Sequence, residues 1–80
     1  MSAQNTSELA KSVTMALEKY FTELNGETAN AVYDMVLTCV ERPMLEVVMH
    51  QAANNQTVAA QILGINRNTL RKKLSDHGLL

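Results

Sequence analysis

The sequence predicts an all-α fold, a four-helix subunit with a C-terminal helix-turn-helix. Three observations carry that reading: two long stretches repeat apolar residues at three- and four-residue steps, Gly64 and Gly78 stand where short helices must stop, and the strand signal is weak. Val47-Val48-Met49 is partly β-branched, but it sits inside a helical period. The chain has 80 residues, enough for one small domain burying about 60–65% of the surface that its unfolded form exposes. Apolar residues make up 46% of it, with five Met, one Phe and no Trp. That is more apolar surface than a thin monomeric core hides, and it points to an obligate oligomer.

Residues 1–8 read as a flexible N-terminus, polar and without periodicity over Met1 to Thr6, with Ser7 placed to cap the first helix. Leu9, Val13, Leu17, Tyr20, Phe21 and Leu24 then mark one face of an amphipathic helix, which Asn25-Gly26 ends. Glu27 to Asn30 make the link, with Thr28 or Asn30 as caps.

The longest helical pattern runs from about Ala31 to Ala53. Its apolar residues, from Val32 and Tyr33 through Met35, Cys39 and Met44 to Met49, cover more than half of the helix circumference. A helix of that kind is buried on several sides. The first helix and the C-terminal pair can each cover one, and the same helix of a second subunit covers the rest, so residues 9–53 are expected to build an intertwined homodimer. Pro43 lies within the pattern, where it removes an amide donor and clashes with the carbonyl four residues back; a kink near Cys39 to Arg42, or a break into two helices, is expected.

Residues 55–80 hold the helix-turn-helix, within what reads overall as a single domain. Asn55 or Gln56 opens the third helix, and Gly64 can take the left-handed conformation that closes it. Ile65 turns inward. Asn66 stands as the N-cap of a fourth helix, placed to accept from the backbone of Asn68 or Thr69, and that helix ends near His77 because Gly78 follows. Leu70 and Leu74 share its inner face, leaving Asn68, Lys72 and Ser75 opposite, Arg71 at the border and Arg67 in the first turn. The first turn of such a second helix is the end a helix-turn-helix presents to base edges in a major groove.

The net charge of −1 argues for no particular partner, but it divides into −4 over residues 1–53 and +3 over residues 54–80. One cysteine, Cys39, cannot form an internal disulfide, and nothing near it in sequence would activate it, so a buried small hydrophobe is expected. Met35, Met44 and Met49 read as filler of the dimer core, Tyr20 and Tyr33 as residues at its edge. The start has no secretory signal pattern, and no apolar run approaches the roughly 20 residues that cross a membrane. His50 and His77 are too few and too scattered for a metal site. There is no Gly-rich phosphate loop and no nucleophile with a base and an orienting acid, so neither an enzyme, a cofactor nor a small-molecule substrate is expected. Glu41 and Glu46, flanking Pro43, read as solubilising carboxylates.

From Gly64 to Leu74 the sequence resembles the Fis family of bacterial nucleoid-associated, DNA-bending proteins. The likeness extends to Leu24-Asn25-Gly26, Val40-Glu41-Arg42-Pro43-Met44-Leu45, Asn55-Gln56-Thr57 and Ala59-Ala60-Gln61, in the same order and at similar spacing, and covers roughly residues 11–80. The resemblance implies a homodimer on double-stranded DNA, with one recognition helix from each subunit in successive major grooves and an A/T-rich centre read through its shape. It implies base-edge contacts for Asn66 and Arg67, phosphate or backbone contacts for Asn55, Thr57, Thr69, Arg71 and Lys72, and a flanking basic role for Lys73. It also implies a global transcription regulator, activating or repressing, and nucleoid organiser in a bacterial cytoplasm, with RNA polymerase as a further partner.

The sequence departs from the family pattern at several positions. Val58 stands in place of a basic residue, Ser75-Asp76 in place of a Lys-Lys pair, and Asn68 in place of a small residue on the DNA-facing side, which implies weaker or less salt-sensitive binding and an altered site preference. About a dozen residues stand where some relatives carry a longer N-terminal arm, so stimulation of DNA inversion is not expected. Two rivals share the features of the C-terminal third. One is the terminal domain of an NtrC-type enhancer-binding activator, which the matching dimer helices and the start at Met1 count against; the other is a helical protein-interaction module with a basic tail.

Overall fold

The computed structural model describes residues 3–80, with side chains from residue 7 onward, and among them every regular element is a helix. The elements are α1 (Ala3–Glu23), α2 (Val32–Gln51), α3 (Gln56–Leu63) and α4 (Arg67–Asp76). The chain divides into two compact units, Met1–Val32 and Tyr33–Leu80.

In the first unit α1 begins at Ala3, ahead of Ser7, so Ser7 lies inside the helix instead of capping it. Helix propagation explains the difference: each added residue gains one backbone hydrogen bond and needs no apolar partner. Met1 and Ser2, part of the expected flexible segment, lie outside the described residues. On α1 Val13, Leu17 and Tyr20, and Leu24 just after it, are half-buried, whereas Leu9, Met15 and Phe21 are exposed. Phe21 meets the Tyr20 ring edge to face, with centroids 5.4 Å apart. Asn25 and Gly26 take positive φ and stop the helix where the sequence places its end. The residue before α2 is Ala31, itself at φ 55°, so neither Thr28 nor Asn30 occupies the capping position.

The second unit has its own core. Leu45 and Ala52 of α2 and the turn after it, Ala59 and Ala60 of α3, and Leu70 and Leu74 of α4 form one buried cluster, with Val48, Met49, Leu63, Ile65 and Leu79 packed around it. α2 stays helical through Pro43, so the expected alternative of a break into two helices is not realised. Its inner face runs through Leu45, Val48 and Met49, while Tyr33, Leu37, Val40, Met44 and Val47 form an exposed apolar stripe at alternating four- and three-residue steps. Cys39 is exposed in the single chain, not the buried hydrophobe expected, because it falls outside that inner face; Tyr33, expected at a core edge, is 75% exposed.

α3 has eight residues, too few to persist as an isolated helix in water. Closure at both ends and complete burial of Ala59 hold it in place. The small side chains of Ala59 and Ala60 let its backbone pack close under α4.

Candidate nucleic-acid interface

Asn55 adopts an extended backbone before α3, and its Oδ1 accepts from the Val58 amide at 3.1 Å. Gly64 closes α3 at φ 74°, ψ 30°. The Gly64 amide donates to the carbonyls of Ala60 at 2.9 Å and Gln61 at 3.2 Å, and the Ile65 amide to Ala60 at 3.1 Å. This is the Schellman arrangement, which satisfies carbonyls that the helix end would orphan. Asn66 then caps α4, its Oδ1 accepting from the Asn68 amide at 2.7 Å. Asn55, one of the two residues at which the sequence opens α3, caps it, and with Gly64 and Asn66, as read from the sequence, it fixes the turn between the two helices.

Leu70 and Leu74 are buried to 0% and 1% exposure, as their spacing requires. Anchored by them, α4 turns Arg67, Asn68, Thr69, Arg71, Lys72 and Ser75 outward, all exposed. A shallow groove runs along this face, lined by Asn68, Arg71, Lys72, Ser75, Asp76 and Leu80. Across the turn the Arg67 Nη1 donates to the Thr57 Oγ1 at 3.4 Å, joining the first residue of α4 to the first turn of α3. Asn55, Thr57 and Val58 are exposed at that same α3 end. The two helix N-termini bring their partial positive charge to the side where Arg67 stands.

Two of the basic residues have acidic partners. The Lys72 Nζ lies 3.3 Å from the Asp76 Oδ2, an exposed pair one turn apart on α4. Lys73 faces away from Lys72 and is half-buried, its Nζ 2.7 Å from the Glu41 Oε2 on α2. The other carboxylate oxygen of Glu41 is 2.8 Å from the His77 Nε2. An ionised carboxylate only accepts, so this ring nitrogen carries the proton. Bonded to Lys73 and His77, the Glu41 carboxyl is held below its ordinary range, and its partial burial only partly offsets them. Next to it Arg42 donates from Nη1 to the His77 carbonyl at the end of α4.

Among the expected site residues, the turn gathers Asn55, Thr57, Asn66 and Arg67 at one end, while Asn68, Thr69, Arg71 and Lys72 continue along α4. Lys73 is drawn to α2. Glu41, read from the sequence as a solubilising surface carboxylate, instead bridges two helices; no helical period links residues 32 and 36 apart.

The sequence profile described as "Bacterial regulatory protein, Fis family" matches residues 37–77, which span the last three quarters of α2 and both helices of the turn. This chain belongs to the Fis family. It is 62% identical over 65 residues to a Fis-like DNA-binding protein of Ralstonia nicotianae, covering 81% of this chain and 84% of the relative. A Fis-like DNA-binding protein of Neisseria meningitidis serogroup A is 52% identical over 73 residues, 91% of this chain and 92% of that one. The DNA-binding protein Fis of Proteus mirabilis is 52% identical over 71 residues, 89% of this chain and 72% of its own length. The Fis-family assignment thus covers the capped turn, the outward face of α4 and Glu41 together. Among the described residues no helix is long and apolar enough to cross a membrane.

Proposed function

We propose that this chain binds and bends double-stranded DNA as a homodimer, acting as a non-enzymatic transcription regulator and nucleoid organiser. The observation that carries this reading is the two-sided character of α4, sealed inward by Leu70 and Leu74 and presenting Arg67, Asn68, Arg71 and Lys72 to solvent behind a rigidly capped turn. A helix held in this way can enter a major groove as a preformed unit.

In this mechanism Arg67 and Asn66 approach base edges, while Asn55, Thr57, Thr69, Arg71 and Lys72 engage phosphates. Asn68 faces the groove and adjusts site preference. Lys73 adds positive charge at the flank while it remains bonded to Glu41. A second copy is supported by the exposed stripe Tyr33, Leu37, Val40, Met44 and Val47, whose four- and three-residue steps suit a symmetric helix seam. Two recognition helices closer than one helical repeat of about 34 Å would force the duplex to bend. RNA polymerase is a natural protein partner for such a regulator on the DNA of a bacterial cytoplasm.

Fluorescence anisotropy with duplexes that share outer sequences and differ in an A/T-rich or G/C-rich centre, across a salt series, tests the proposal. Tighter binding to the A/T-rich centre with a steep salt slope is expected. No binding to either duplex at low salt would overturn it.

A further inference from the structure

We infer that Glu41 is a positioning residue for DNA recognition: it locks the end of α4 to α2 and so fixes the separation of the two recognition helices in a dimer. This rests on the dimeric DNA-binding reading above. Apolar packing of Leu45 against Leu70 and Leu74 holds α4 to α2 but is non-directional, and it leaves α4 free to rotate and slide by small amounts. Glu41 removes that freedom by using both of its oxygens, one on Lys73 in the last turn of α4 and one on His77, which caps its end. Arg42 adds a third tie through the His77 carbonyl.

The ties are sheltered: the side chains of Glu41 and His77 are 25% and 10% exposed, against 78% for Lys72. Solvent screens such a pair less than it screens the surface pair Lys72–Asp76. Position matters as much as strength. Glu41 begins the inner face of α2 that continues through Leu45, while its neighbour Val40 lies on the exposed apolar stripe with Met44. One turn of α2 therefore carries both the proposed dimer seam and the attachment of α4, so a change at Glu41 reaches the distance between recognition helices without touching DNA.

The test measures binding of the full chain to a preferred duplex selected from a randomised pool. It adds duplexes whose centre is longer or shorter by one base pair, and one that keeps a single outer sequence. Wild type should prefer the selected spacing. Glu41→Gln, which loses the charge and cannot accept from both partners, should lose about three- to tenfold of that preference and bind the single-sequence duplex at least as tightly as wild type does, because it releases Lys73. His77→Phe should show the same loss, and the double variant no more than either single one. Leu63→Ala, which weakens packing around the core from α3 without touching these ties, should lower stability and keep the spacing preference. Folded Glu41→Gln or His77→Phe with an unchanged spacing preference would overturn the inference. A wild-type protein indifferent to spacing would instead overturn the dimeric reading on which it rests.

Discussion

Glu41 and Lys73 meet at 2.7 Å although they are 32 residues apart in sequence, on α2 and α4. With His77 on its other oxygen, Glu41 has a folded-state pKa depressed below the carboxylate value of 4.5 found without such partners. A depressed carboxyl contributes stability that is present above the unfolded pKa and lost as pH falls through the folded one. Wild type should therefore unfold at a higher temperature than Glu41→Gln at neutral pH, and the gap should close as pH falls from neutral through the acid range in which Glu41 takes up its proton. A gap that stays constant over this range, measured by circular dichroism melts, would remove the charged bridge from the stability of the fold.

Ala53 and Gly64 make a matched pair of tests of the helix ends. Ala53 ends α2 at φ 52°, a conformation that costs an L-residue about 1 kcal/mol or more, so Ala53→Gly should stabilise the protein by about that amount. Gly64 sits at φ 74° with nothing within 4 Å of where a Cβ would stand, so Gly64→Ala should destabilise by a similar amount through backbone conformation alone. Urea unfolding should give midpoints displaced in opposite directions.

Asp76 competes with phosphate for Lys72, its partner at 3.3 Å. Removing the carboxylate with Asp76→Asn should tighten binding to every duplex and steepen the salt dependence by about one ion per subunit. Folding stability should move by less than about 0.5 kcal/mol, as for other exposed pairs. Titrations at several salt concentrations with the same duplex measure both quantities.

Arg67 and Lys72 should separate base reading from phosphate holding. Arg67→Ala should cost about 1–3 kcal/mol and relax preference at the outer base pairs, whereas Lys72→Ala should weaken all sites alike and lower the salt slope. Equal losses for Arg67→Ala on every sequence would take the reading role away from it.

The exposed stripe of α2 predicts the oligomeric state. Leu37 is 49% and Val47 61% exposed in the single chain, and light scattering of wild type should give the mass of two chains. Leu37→Glu, which would bury a charge in the seam, should give the mass of one. A wild-type protein of single-chain mass would contradict the homodimer.

The sequence by itself determined the all-helical class, the opening of α3 at Asn55 or Gln56, the capping residue Asn66, the stop at Gly64 and the division of α4 between Leu70 and Leu74 inside and Arg67, Asn68 and Lys72 outside. These are local matters, settled by propensity, side-chain caps and a 3.6-residue period acting within a few turns. Tertiary structure alone decided the rest. The exposure of Cys39 depended on which face of α2 meets α3 and α4. Glu41 shows the limit most clearly: a carboxylate on a helix looks the same in sequence whether it faces water or another helix. Only when Leu45, Leu70 and Leu74 pack together do Lys73 and His77 come within hydrogen-bond reach of it, because a bond between distant residues exists only after the apolar core has brought their helices into contact.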